Sequence, residues 1–205
     1  MDELVQQKNI CPISGFPVIS KPEWIYEGKD GRFKVEVSLI GERILHVKAR
    51  GKISYDDQVK SINLQDCVAR KGIGEDQPYF QIQDWKELKG ASNKARQHYI
   101  DYLTDNERVL GVVFCNTSFM FKLSIKLGKR LNWVPFPLHI ADDYKQAIKA
   151  TKILLEEWKG LNKKGVSEQQ ESHLPFILDT GDLNQQVCKI TGLEITKKSK
   201  WTNIE

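Results

Sequence analysis

Residues 33–39, FKVEVSL, alternate without a break: Phe33, Val35, Val37 and Leu39 fall on one side, Lys34, Glu36 and Ser38 on the other. That period belongs to a strand with one face on a core. After a short turn at Ile40-Gly41-Glu42-Arg43 the alternation resumes, with Leu45, Val47 and Ala49 set against His46, Lys48 and Arg50. Two such runs so close together predict an antiparallel hairpin. An earlier strand is expected around Trp24–Glu27, joined through Lys29-Asp30-Gly31.

The period then changes. Ser54-Tyr55-Asp56-Asp57 supplies a capping hydroxyl and two first-turn acids, which predicts a helix running to about Arg70 and stopping at Gly72. Residues 78–84, PYFQIQD, predict a strand ending in Asp84. ASNKARQHYIDYL follows with Ala91, Ala95, Tyr99 and Tyr102 on one helical stripe. Residues 108–116, RVLGVVFCN, are almost continuously apolar, as in a central parallel strand covered on both faces. Thr117 or Ser118 can cap the next helix, whose stripe is Met120, Leu123, Leu127 and Leu131. The prolines of VPFPLHI, 134–140, place that short strand at an edge or a strand start. Tyr144, Ala147, Ile148, Thr151, Leu154, Leu155 and Trp158 mark a last amphipathic helix, and the polar stretch 160–172 reads as a linker. The fold class is therefore α/β: a mixed sheet with an N-terminal antiparallel hairpin, followed by parallel strands alternating with helices.

The chain also repeats itself. CPISGFPVISKPEW (11–24) and CKITGLEITKKSKW (188–201) agree without a gap at Cys11/Cys188, Ile13/Ile190, Gly15/Gly192, Lys21/Lys198 and Trp24/Trp201. Random windows of this length share roughly one residue, and these matches include the rare Cys and Trp. Coincidence in a tail is the plain alternative. The repeat predicts a lead segment (1–24), a domain (25–160), a linker (161–174) and an extension (175–205) that starts a second copy.

Composition narrows the function classes. A net charge of +4 comes from Lys and Glu interleaved along the chain, with KKSK (197–200) the one basic run, so no nucleic-acid partner is expected. No apolar run approaches the roughly 18–20 residues of a membrane span, and the polar opening MDELVQQKN lacks a signal-peptide core. A cytoplasmic location is the expectation. Cysteines 11, 67, 115 and 188 form no CxxC pair, which argues against zinc and against a disulfide framework; Cys67 and Cys115 read as buried structural thiols. The four histidines are scattered, and no phosphate-cradling glycine loop or nucleophile–base motif occurs. No metal, cofactor or catalytic residue is expected.

The hairpin FKVEVSLIGERILHVKARGKIS, the junction QIQDWKELKGASNKAR, the strand VLGVVFC and the ending HIADDYKQAIKATKILLEE together resemble the STAS (sulfate transporter and anti-sigma factor antagonist) fold. They cover about 33–158. The opening CPISGFPVISKPEW is similar to segments that precede sensor modules of bacterial histidine kinases. In anti-sigma-factor antagonists a strand ends in Asp and a Ser at the next helix start is phosphorylated by a partner kinase. The resemblance implies Asp84 and Ser92 for those two positions, although Lys86 and Gly90-Ala91-Ser92 depart from the family pattern. The plain alternative makes Ser92 an ordinary N-cap.

Other residues have two readings as well. Cys115, Asn116, Thr117 and Ser118 follow the most apolar strand, where open α/β sheets place ligands; structural use is the alternative for the thiol. Trp85 and Trp133 line a pocket or pack in the core. Asp142-Asp143 is explained by the helix dipole alone. The expected function is a non-catalytic regulatory module, in the N-terminal part of a larger bacterial sensor such as a histidine kinase, that binds a protein partner or downstream signalling domains. Its alternatives are a stand-alone switch phosphorylated on Ser92, and a carrier of a small ligand or lipid. The stripe ending in Trp158 allows a homodimer.

Overall fold

The computed structural model describes residues 9–131 and 134–164, together with the strand residues 187–188, 193–195 and 201–203. Up to residue 157 they form one compact unit, and the residues from 158 onward form another.

The first unit is built on a seven-stranded sheet. Its strands are β1 (Asn9–Ile10), β2 (Pro17–Glu27), β3 (Phe33–Ile40), β4 (Ile44–Ile53), β5 (Tyr79–Ala91), β6 (Val109–Cys115) and β7 (Leu138–Ala141), side by side in chain order. From β1 to β4 every pairing is antiparallel; from β4 to β7 every pairing is parallel. The expected hairpin is β3–β4, with Ile40 opposite Ile44 and Val37 opposite Val47.

Helices α1 (Tyr55–Gly72), α2 (Asn93–Asp105) and α3 (Phe119–Arg130) are the crossovers between parallel neighbours. Right-handed crossovers between strands laid down in one direction carry their helices to the same face of the sheet. The main core lies there: Phe33, Val35, Val37 and Leu39 of β3, Leu45 and Val47 of β4, Val112 and Phe114 of β6, with Val68 and Ala69 of α1, Leu103 of α2 and Ile125 of α3. Helix α4 (Tyr144–Lys164) follows the last strand, so no crossover constrains it. Its Tyr144 ring lies 4.8 Å from His46, whose side chain alternates with Leu45 and Val47. The opposite face of the sheet is thus covered as well, and it buries Ile40, Ile44, Ile82, Val113 and Cys115 with Ala147 and Ile148.

Local chemistry explains the helix starts. Ser54 and Asp57 form a reciprocal capping box at α1, and Ser92 Oγ accepts from the Ala95 amide at α2. Ser118 caps α3 without a side-chain bond. At α4 Asp143 accepts from the Gln146 amide at 2.7 Å and so caps the helix, while Asp142 pairs with Lys122 at 2.8 Å.

Several expectations need correction. The strand expected around Trp24 begins at Pro17, so residues ahead of the expected domain boundary belong to the sheet; a register shift between Ser20 and Ile25, where Pro22 offers no amide, hides the strand's period. The strand expected to end at Asp84 continues to Ala91. Cys67 is exposed rather than buried, because Ser61, Gln65, Val68 and Ala69 occupy the inner face of α1. Helix α4 runs through Gly160 to Lys164, into the expected linker. Trp133 and the remainder of the linker lie outside the described residues.

The second unit contains a three-stranded antiparallel meander, β8 (Val187–Cys188), β9 (Leu193–Ile195) and β10 (Trp201–Asn203). Its first hairpin pairs Val187 with Glu194 and Cys188 with Leu193. The first copy of the repeat pairs Ile10 with Pro17, and the Cys11 amide donates to the Phe16 carbonyl at 2.8 Å. The two hairpins therefore share one register. In the first copy the repeated residues shape the chain: Gly15 has φ +74°, Cys11 is buried, and Lys21 Nζ sits 5.2 Å from the centre of the buried Trp24 ring.

Candidate functional site

Two places bring chemistry-bearing side chains together. The first lies on the α4 face, where the β5–β6 ladder ends at Asp84 opposite Cys115. Asn116 leaves β6 with φ +54°, a left-handed conformation that Asn tolerates better than most residues. This turn lets its Nδ2 donate to the Asp84 carboxylate at 2.9 Å, and the Lys86 amide donates to the same oxygen at 3.1 Å. Asp84 is buried. Neighbouring Thr117 is also buried, and its Oγ1 has no protein partner.

His46 and Tyr144 complete the cluster. The His46 Nδ1 is 3.2 Å from Ser38 Oγ, while its Nε2 is shut off from solvent without a protein partner. Burial is the main reason the imidazole titrates at about 4; Asp84 pulls the value up, and Lys48 pushes it down. The ring is neutral at pH 7. Burial pushes the Cys115 thiol up to about 12, with the negative charges of Asp84 and Asp143 adding to the effect. Tyr144 is also raised to about 12, by burial first. Cys115 is therefore a protonated, shielded thiol, the opposite of a reactive one. The cluster can hold one carboxylate and present a neutral imidazole, which suits structural or binding use better than nucleophilic chemistry. Among the described residues no group of three or more His, Cys, Asp and Glu side chains is arranged to hold a metal ion.

The second place is an open cleft of about 1030 Å³ at the C-terminal end of β5. Tyr26, Lys29, Arg32, Lys52, Lys60 and Ser92 are among its lining residues. The starts of α1 and α2 both open on it, and the Tyr55 ring meets His98 edge-on at 5.4 Å between the two helices. Ser92 is exposed, its amide donating to the Ile53 carbonyl at 3.1 Å. Two of the acids in the cleft are already engaged: Asp30 pairs with Arg32, and Asp57 caps α1 and accepts from the Tyr26 hydroxyl at 3.0 Å.

The residues anticipated from sequence are thus divided. Asp84, Cys115, Asn116 and Thr117 are brought together. Trp85, on the opposite side of β5, packs edge-on against Phe114 at 4.6 Å and Phe121 at 5.0 Å, in the core beneath α3. Ser118 stands exposed at the start of α3. Ser92 is eight residues of extended chain beyond Asp84, on the order of 25 Å at strand rise. The strand-end Asp and helix-start Ser implied by the family resemblance are therefore not neighbours here, because β5 continues between them. His46 and Tyr144 were missed. His46 shares the polar side of the β4 alternation with Lys48 and Arg50, and only the cover supplied by α4 distinguishes it.

No protein-family model matches the chain. No curated protein matches it either. Among solved structures the chain is similar to an uncharacterized protein of the DUF3478 family from Shewanella loihica, described as having a SpoIIAA-like fold, which is the STAS fold. The two share 18% identity, with a TM-score of 0.46 over 58% of this chain and 93% of that one. Identity this low says nothing of activity.

Proposed function

We propose that the first unit is a non-catalytic regulatory module that binds a protein partner, and that Ser92 is the residue through which binding is switched. The observation that carries this reading is the setting of Ser92: an exposed hydroxyl at the start of α2, on a cleft also lined by Lys29, Arg32, Lys52 and Lys60. A phosphoryl group on its Oγ would accept from the first-turn amides of α2 and meet the positive end of the helix dipole. It would add close to two negative charges among the lysines, enough to change which partner the surface favours.

The wider setting we propose is a bacterial signalling protein such as a sensor histidine kinase, acting in the cytoplasm. The shared register of the two repeated hairpins supports a tandem arrangement of modules in such a protein.

The test separates capping from switching. Ser92→Asn keeps a good N-cap but offers no hydroxyl, whereas Ser92→Ala loses both. Incubated with labelled ATP and an extract of the native host, the wild-type protein is expected to gain a phosphoryl group that peptide mass spectrometry places on Ser92. Ser92→Asn should melt with the wild type and stay unlabelled. Label on another residue, or equal labelling of Ser92→Asn, would remove Ser92 from the reading.

A further inference from the structure

We propose that the outward face of α3 docks on an anionic lipid bilayer. The inference does not depend on Ser92. In an α-helix successive residues turn by about 100°, which places Phe119, Met120 and Leu123 on one face with Lys126 and Arg130 between and beside them. Phe119 is 77% exposed, Met120 57% and Leu123 36%. The opposite face is committed to the core, where Ile125 and Gly128 are buried and Phe121 packs on Trp85. The outward apolar side chains are thus surplus to what the fold requires, and three of them together mark an interaction surface.

The charges say what covers it. Along its length α3 carries Lys122, Lys126, Lys129 and Arg130 and no acid. Lys122 is bound to Asp142 at 2.8 Å, and no ion pair engages the other three among the described residues. An apolar stripe rimmed by unpaired cations on the convex surface of a helix matches a flat partner, apolar inside and negative outside. That is the chemistry of a bilayer containing acidic headgroups. Phe119, Met120 and Leu123 enter the acyl boundary, while the long stems of Lys126 and Arg130 let their charges stay at headgroup level. The unsatisfied first-turn amides at exposed Ser118 add positive potential at the same end.

The experiment is sedimentation of the full chain with phosphatidylcholine vesicles, with and without phosphatidylserine, at low and at high salt. The expected result is partition onto the phosphatidylserine vesicles only, weakened by salt. K126E/R130E should lower that partition by at least about 25-fold, at about fivefold per cation removed. F119S/M120S should lower it roughly tenfold or more; it truncates side chains that already face solvent, so its circular dichroism and melting should match the wild type. No partition at low salt overturns the proposal, as does equal partition of all three proteins. Light scattering supplies one further way to overturn it: a wild-type dimer that F119S/M120S dissociates, without vesicle binding, would assign the face to a second copy of the chain.

Discussion

Gly51 shows how much one position in β4 carries. Its φ is +86°, and a Cβ placed there would lie 1.9 Å from the Arg32 carbonyl oxygen. Gly51→Ala therefore combines a disfavoured backbone with a clash against main chain that cannot swing away, and should cost at least about 3 kcal/mol; urea unfolding will measure it. His46 governs acid stability. In the unfolded chain it takes its proton near 6.5, in the folded protein only near 4. Between those values the unfolded state holds more protons, so stability falls as the pH is lowered from 6.5 towards 4 and no further below it. The loss expected is on the order of 2–3 kcal/mol, and His46→Gln should flatten that part of the curve. The titration behaviour of His46 was not legible in the sequence, since alternation assigns it to a polar side without saying whether that side meets water.

At the scale of elements, the apolar faces of α1 and β5 enclose a set of amides. Gln83 Nε2 donates to Gln65 Oε1 at 3.2 Å and to Gln81 Oε1 at 3.0 Å, and Gln65 Nε2 donates to Ser61 Oγ at 3.1 Å. All four residues are buried. Gln83 is the hub. Gln83→Leu strands the Gln65 Oε1 and leaves the Gln81 Oε1 with only the Tyr99 hydroxyl at 3.5 Å, and should cost about 1–3 kcal/mol. Gln81→Leu removes an Nε2 without a protein partner and a long 3.5 Å contact from the Tyr99 hydroxyl, while the Gln83 Nε2 it leaves keeps Gln65 Oε1, so it should cost less. Comparing the two unfolding midpoints tests this order.

Elements with an unbroken period were legible: the β3 alternation, the capped start and glycine end of α1, and the apolar run of β6 all predict the element observed. β5 was legible only to Asp84. Two steps along β4, from Lys48 to Arg50, stand against three along β5, from Asp84 to Glu87. The extra residue shifts the side-chain parity, so Leu88 is buried in the main core, at a position that strict alternation from Asp84 would assign to the α4 side.

For the whole molecule, the order of the strands governs what is protected. β1 and β2 cover the flank of β3, whose Phe33, Val35, Val37 and Leu39 are almost fully buried. A protein lacking residues 9–27 would present β3 as a bare edge, and is expected to associate or precipitate where the full chain does not. Light scattering at rising concentration checks this; a soluble monomer would show that β3 needs no cover. At this scale the sequence by itself determined the α/β class, the antiparallel opening and the parallel remainder, because period, caps and crossover lengths are local properties. It also determined that Ser92 starts a helix. Only the tertiary structure decided that α4 returns over the polar-looking side of β3 and β4 and that it brings Tyr144 to His46. Those outcomes depend on which face of the sheet a helix packs against, and for a helix beyond the last strand no crossover geometry settles that in advance.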